Sequence, residues 1–188
     1  MIQTIINGIT LSFKTDSTLF SPQSIDAGTL AMLSVASFTQ DDKVLDLGCG
    51  YGAVGIYAAK LIGAKNVFMS DSDVKSIEFA GKNIELNGVD GIRIIHSTGF
   101  ENITEKDFTM ILSNPPYHSD FSVPKHFIEK GFNRLRLGGR MYIVTKRKDW
   151  YKNKLTTIFG GVKIHEIDSY YVFYSEKRSM QYANKIKK

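Results

Sequence analysis

The stretch Phe108-Thr109-Met110-Ile111-Leu112-Ser113-Asn114-Pro115-Pro116-Tyr117 decides how this chain is read. Its first six residues make a short apolar run of the kind found in a buried parallel strand. Pro115 and Pro116 have no N–H to give to a ladder, so the strand ends before them. A side-chain amide, two carbonyls and an aromatic ring are left at the strand's carboxyl end, the edge where open α/β sheets bind ligands. The Asn114 oxygen beside a rigid Pro-Pro backbone offers fixed hydrogen-bond acceptors, and Tyr117 offers a flat face. Together they suit a planar group carrying an NH2. A strand-ending turn with a surface tyrosine is the plainer alternative.

Further upstream, 43–47 reads as the first central strand, Gly48-Cys49-Gly50-Tyr51-Gly52 as a glycine turn, and about 52–62 as a helix of small and apolar residues. A second strand, 67–70, ends at Asp71-Ser72-Asp73. A helix of about 73–87 follows and stops at Asn87-Gly88, and 92–96 is a third strand. Beyond the opening stretch come a helix of about 124–136, a break at Gly138-Gly139, a strand at 140–145 and a helix of about 150–159. An antiparallel pair closes the pattern at 162–167 and 170–175, turned at Asp168-Ser169. At the other end, Asn7-Gly8 is a strong hairpin signal within 3–13. The segment from Leu19 to Thr29 leads into a helix of about 26–37. It is either a connector or a flap closing over a ligand.

Strand and helix in alternation predict a doubly wound, mostly parallel seven-stranded α/β sheet with an antiparallel C-terminal strand and a small N-terminal hairpin. The expected division is one domain over 1–188: hairpin and flap at 1–38, a core at 39–178 and a mobile basic tail at 179–188. The 188 residues, 43% hydrophobic and 23% charged, suit a soluble globular protein. No apolar run would span a bilayer, the N-terminus has no signal-peptide pattern, and one cysteine excludes an internal disulfide. A cytoplasmic monomer without metal or membrane contact is the expectation. The net charge of +5 favours a polyanionic partner without requiring one.

The glycine turn admits two ligands. Gly50-Tyr51-Gly52-Ala53-Val54-Gly55 matches G-x-G-x-x-G, with Asp71 at a suitable distance for a ribose contact, as in a dinucleotide site. Against this, Asp46 would face a pyrophosphate with like charge, and the chain leaves little room for a catalytic domain. The sulfonium and ammonium of S-adenosylmethionine are cationic and suit nearby carboxylates.

Asp46-Leu47-Gly48-Cys49-Gly50-Tyr51-Gly52, paired with Asn114-Pro115-Pro116-Tyr117, resembles the class I S-adenosylmethionine-dependent methyltransferases over nearly the whole chain. The resemblance implies a Rossmann-like methyltransferase fold and S-adenosylmethionine as cofactor. It maps the methionine part onto Asp46, Gly48, Cys49 and Gly50, and the ribose onto Asp71 with Ser72. The family's acid after the third strand is replaced here by His96-Ser97-Thr98-Gly99-Phe100, so Thr98, Gly99, Phe100 or backbone atoms are left to meet the adenine. Phe20 and Asp26-Ala27-Gly28-Thr29 look like the flap of the ribosomal RNA guanine-N2 methyltransferases of the RsmC type, without the N-terminal domain many of them carry. Asp26 and Thr29 are thus assigned to the cofactor and Phe20 to the substrate.

The resemblance gives Asn114, Pro115 and Tyr117 the catalytic work. The Asn114 oxygen and Pro115 carbonyl take the amine's hydrogens, and Tyr117 stacks on a flipped-out base. The implied substrate is ribosomal RNA or the small ribosomal subunit. Lys146, Arg147 and Lys148 follow the fifth strand at the ligand edge and read equally as phosphate contacts or solvated surface. Lys125, Arg140 and Lys152 are further candidates for phosphate, and Arg134 and Arg136, at a helix end, fit dipole compensation better than phosphate. Asn-Pro-Pro-Tyr also occurs in enzymes acting on adenine N6, on cytosine N4 and on the glutamine of release factors. A binding module with a retained cofactor pocket is a third class.

Overall fold

A computed structural model of the chain describes residues 1–116 and 120–186. Tyr117, assigned to base stacking above, and His118 lie outside the described residues. The chain opens with β1 (Ile2–Ile6) and β2 (Ile9–Phe13), paired antiparallel around Asn7 and Gly8. Both turn residues have positive φ, 46° and 83°, which is why Asn-Gly stands there. Then follow α1 (Ala27–Val35), β3 (Val44–Leu47), α2 (Ala53–Ile62), β4 (Val67–Asp71), α3 (Val74–Leu86), β5 (Arg93–His96) and β6 (Phe108–Ser113). The chain continues through α4 (Ser122–Arg134), β7 (Leu135–Thr145), α5 (Asp149–Phe159), β8 (Lys163–Ile167), β9 (Tyr170–Glu176) and α6 (Ala183–Ile186).

The main sheet has the order β5-β4-β3-β6-β7-β9-β8, with β9 running opposite to the other strands. From β3 the chain winds outward through β4 and β5; from β6 it winds the other way. The switch in direction between β3 and β6 opens a crevice beyond their carboxyl ends. Asp46 pairs with Leu112, so the glycine loop and Asn114 emerge side by side. The Ser113 hydroxyl donates to the Leu47 carbonyl at 2.7 Å and clips the two strand ends together.

Both sheet faces are covered, and all six residues of β6 are buried. One apolar cluster, with Met32, Ile56, Met110 and Leu112, joins the sheet to α1, α2 and the hairpin. The other, with Leu45, Ile111, Ile128, Phe132 and Leu155, joins it to α4 and α5.

The hairpin lies outside the main sheet and is held to α3 by two asparagines one turn apart. Asn83 accepts from the Lys14 N–H at 2.7 Å and donates to the Lys14 and Tyr51 carbonyls. Asn87 accepts from the Ser12 N–H and donates to the Ser12 carbonyl. Two asparagines four residues apart thus meet Ser12 near the end of β2 and Lys14 just beyond it, as a neighbouring strand would. Asn83 has no exposed surface. Asn83→Ala is expected to cost about 2–3 kcal/mol, because it orphans buried backbone groups. A lower urea midpoint at unchanged slope would register it.

Three expectations need correction. The helix before Gly138-Gly139 ends at Arg134, and β7 starts at Leu135, with no break between them. The two glycines are absorbed by a register shift opposite Phe108 and Met110. A Cβ on Gly139 would stand 2.9 Å from the Phe108 and Arg136 carbonyls, so the irregular pairing needs glycine. The described part of the tail is anchored: the Tyr182 hydroxyl donates to the Glu129 carbonyl, and its ring meets Phe132 edge-on. Arg140, a candidate for phosphate, instead donates to buried Asp42 at 2.6 Å and to the Ser37 carbonyl. Arg134, in the last turn of α4, donates to the Thr104 and Glu105 carbonyls.

Candidate functional site

The crevice beyond β3 and β6 holds a cleft of about 380 Å³. Its floor is the glycine loop. Gly48 and Cys49 donate backbone N–H bonds to the Ser70 carbonyl at 2.8 and 2.9 Å, folding the loop back over the end of β4. Gly48 and Gly50 take positive φ there, 77° and 53°. Asp71, the last residue of β4, accepts from the Gly50 N–H at 2.8 Å and from the Asp73 N–H at 3.0 Å. It therefore shapes the loop as well as lining the cleft.

Asp46 is 2% exposed and lies on the α2 side of β3. Its Oδ2 accepts from the Gly55 N–H at 2.8 Å, in the first turn of α2. Burial, and secondarily the Asp71 charge, push this carboxyl up to about 7, against the pull of the Gly55 hydrogen bond. This contact separates the two ligands the glycine turn admits. A helix N-terminus is where a dinucleotide's pyrophosphate sits, and here a side-chain carboxyl already fills it. The last two glycines of the apparent fingerprint are packing positions: a Cβ on Gly52 or Gly55 would meet Met69 at 2.8 or 2.4 Å.

The cleft walls come from both sides of the switch. Leu19, Phe20, Ile25, Asp26 and Thr29 form one wall; Asn114, Pro115, Pro116, Val123 and Phe127 form another. The segment before α1 is thus a flap over the cleft, not a distant connector. The Tyr51 hydroxyl, pushed up to about 12 by burial and by the Asp26 charge, donates to the Ser21 and Ser24 carbonyls and ties the flap to the glycine loop. Asn114 donates from Nδ2 to Asp26 Oδ2 at 2.8 Å and to Thr29 Oγ1 at 3.1 Å.

Most of the residues marked in the sequence converge here: Asp26, Thr29, Phe20, Asp46, Gly48, Cys49, Gly50, Asp71, Ser72, Gly99, Asn114 and Pro115 all line the cleft. Burial first, then the Asp46 and Asp71 charges, push the Cys49 thiol well up, so it packs and does not react. Thr98 is exposed and outside the lining. Phe100 is buried in the core with Phe127 and Phe132, away from the lining. Lys146 and Arg147 are exposed beyond β7, outside the cleft proper. Lys146 lies over the Tyr170 ring, and Arg147 over Phe121, which stacks on Trp150 at 4.4 Å.

Reading the sequence missed Val123 and Phe127 as parts of the site, and gave Tyr51 and Ser97 only as members of the two loop stretches. Spacing gives no signal for Val123 and Phe127, which reach the cleft from α4.

Four aspartates, Asp26, Asp46, Asp71 and Asp73, and no lysine or arginine line the cleft among the described residues. The buried Ser70 hydroxyl in its wall makes no hydrogen bond to any described residue. This donor set suits a cationic ligand with hydroxyl and amino groups, as S-adenosylmethionine is, and opposes a phosphate. No cluster of histidine, cysteine and acidic residues able to hold a metal occurs among the described residues, and no described helix is long and apolar enough to cross a membrane.

Strand order, glycine loop, acidic cleft and the Asn-Pro-Pro end of β6 are those of a class I methyltransferase. The chain belongs to the family described as methyltransferase small domain, whose family model matches residues 10–175. Among similar proteins, one from Bacillus subtilis (strain 168) with the name "uncharacterized protein YbxB" is 29% identical over 88% of this chain and 86% of its own. The ribosomal RNA small subunit methyltransferase C of Haemophilus ducreyi (strain 35000HP / ATCC 700724) is 33% identical over 84% of this chain and 49% of its own length. In three dimensions, the T. thermophilus 16S rRNA N2 G1207 methyltransferase (RsmC), solved with AdoMet and guanosine, superposes with a TM-score of 0.85 at 28% identity. That match covers 94% of this chain and 50% of the other. The chain therefore spans about half the length of these ribosomal RNA methyltransferases.

Proposed function

We propose that this chain methylates an exocyclic amino group of a nucleobase, guanine N2 in small-subunit ribosomal RNA, with S-adenosylmethionine as methyl donor. The observation that carries the reading is the Asn114 amide at the end of β6, its nitrogen turned to Asp26 and Thr29, in a cleft lined by carboxylates. Kinship with small-subunit methyltransferase C and the fold match to an enzyme solved with guanosine support guanine as the base.

An exocyclic amine is a weak nucleophile because its lone pair is delocalised into the ring. Asn114 Oδ1 and the Pro115 carbonyl accept its two hydrogens, draw density toward nitrogen and favour a pyramidal geometry. Asp46 and Asp71, with the backbone of Gly48 and Gly50, hold the cofactor: Asp46 beside its cationic end, Asp71 at its ribose hydroxyls. When bound, S-adenosylmethionine supplies a methyl group activated by its sulfonium. These residues act by placement and charge, and no strong base is needed, since the alkylated nitrogen loses its proton readily to water. Tyr117 is assigned to stacking on the base. Lys146, Arg147 and Lys148, exposed at the same sheet edge, are assigned to phosphates of the RNA.

The test is transfer from methyl-labelled S-adenosylmethionine to small-subunit RNA, assembled subunits, transfer RNA and a release factor, followed by digestion. N2-methylguanosine from ribosomal material is the expected product. Methylglutamine or N6-methyladenosine would keep the amine chemistry and overturn the substrate.

A further inference from the structure

We propose that Asp26 is a positioning residue that sets the rotamer of the Asn114 amide, and that its carboxylate is what restricts position 114 to asparagine. The inference rests on the amine-methylation reading above, and it takes Asp26 out of the role of cofactor contact that its place in the flap suggested.

Nδ2 of an asparagine carries two hydrogens, and both are spent, on Asp26 Oδ2 at 2.8 Å and on Thr29 Oγ1 at 3.1 Å. A carboxylate only accepts hydrogen bonds, so the amide cannot turn over without setting oxygen against oxygen. With its nitrogen bound to Asp26 and Thr29, the amide keeps Oδ1 as its acceptor, the atom that taking a hydrogen from a substrate amine requires. Asp26 is itself held. The same Oδ2 caps α1 by accepting from the Thr29 N–H at 2.9 Å. The Tyr170 ring packs so near that a Cβ on Gly28 would meet it at 2.7 Å and Asp26 Oδ2 at 2.9 Å. The flap enters α1 through Asp26, so flap docking and amide orientation are one event.

An aspartate at 114 would bring two carboxyl groups to hydrogen-bond distance, where they can be accommodated only by sharing a proton. The partner across the flap therefore decides which acceptor the strand end carries.

The decisive variant is Asp26→Ser. Serine caps a helix about as well as aspartate, but its hydroxyl is one bond shorter and does not reach Asn114. Thermal stability should therefore change little, while turnover at saturating cofactor and acceptor should fall about ten- to a hundredfold through loss of orientation. Cofactor affinity by calorimetry should stay within a few-fold. The second arm is charge exchange. Asn114→Asp should be nearly inactive, and Asp26→Asn with Asn114→Asp should recover at least about tenfold of that loss, since an amide nitrogen then again faces a carboxylate, at the expense of the Thr29 cap that the same Asp26 oxygen makes. Turnover within twofold of wild type in Asp26→Ser would overturn the proposal, as would a loss confined to cofactor affinity or an absence of rescue in the double variant. Asn114→Ala separates the two levels. If it stays active, the amine-methylation reading fails and takes the proposal with it. If it is inactive while Asp26→Ser is not, the proposal alone fails.

Discussion

Replacing Asn114 with alanine is expected to lower methyl transfer at saturating substrates by at least about a hundredfold, the usual consequence of removing one preorganised polar group from a reacting centre. The loss should fall on turnover and leave cofactor affinity nearly untouched. The cofactor's cationic end is assigned to Asp46 and the glycine loop, and neither depends on Asn114. Asp46 is held by the Gly55 N–H, and the loop by Ser70 and Asp71. Asp26 keeps its cap to Thr29 in the variant, so the fold should lose about 1 kcal/mol or less. Single-turnover kinetics with labelled cofactor, beside a calorimetric dissociation constant, separates the two quantities. Activity within tenfold of wild type would mean that the Asn114 oxygen is not the acceptor.

The sheet was legible in the sequence because its strands obey local rules. The run at 108–113 is continuous and apolar because β6 is covered on both faces. The Asn7-Gly8 turn is written in residues that tolerate positive φ. The glycine fingerprint was ambiguous for a physical reason. Gly52 and Gly55 are required by Met69, whereas Gly48 and Gly50 are required by the loop, and the string looks alike in either case. The break expected at Gly138-Gly139 failed because two adjacent glycines mark an irregular stretch of strand as readily as a loop.

Long-range contacts explain the rest. Nothing near Arg140 in sequence announces Asp42, 98 positions away, whose burial makes that arginine structural. Asp42 is held below the usual carboxylate range despite its burial, by bonds from Thr109, Thr39 and Arg140. Likewise, the Asn114–Asp26 contact spans 88 positions and joins two motifs that could be recognised separately but not connected. Phe100 shows the converse ambiguity: its side chain packs in the core beside Phe127, and an aromatic next to a loop is as easily core as site.

Asp46→Asn is expected to move stability and binding in opposite directions. The Asp46 carboxyl is pushed up to about 7 in the fold, first by burial and then by Asp71, against the Gly55 hydrogen bond. A carboxyl with a higher pKa folded than unfolded binds protons more tightly in the folded state. Its contribution is favourable at low pH and is lost as pH rises from the ordinary carboxylate range through about 7. Above that, the buried charge costs the cofactor-free protein on the order of 2–4 kcal/mol. Asparagine can still accept from the Gly55 N–H but carries no charge, so the free variant should be more stable at pH 8 by about 1–3 kcal/mol, with the gain shrinking toward pH 4. Cofactor binding should show the reverse. A cation beside Asp46 favours its ionised form, so wild-type affinity for S-adenosylmethionine should rise from pH 6 to 8, by at most about tenfold per unit. In the variant that slope should flatten, and affinity at pH 8 should drop about tenfold or more. Denaturation midpoints and calorimetric titrations at pH 6, 7 and 8 test both halves. A variant less stable at pH 8, with wild-type binding independent of pH, would show that the Asp46 charge does not serve the cofactor. The opposite result would show a fold that carries an unfavourable buried charge where its ligand is positive, with stability given up in the empty cleft and recovered on binding.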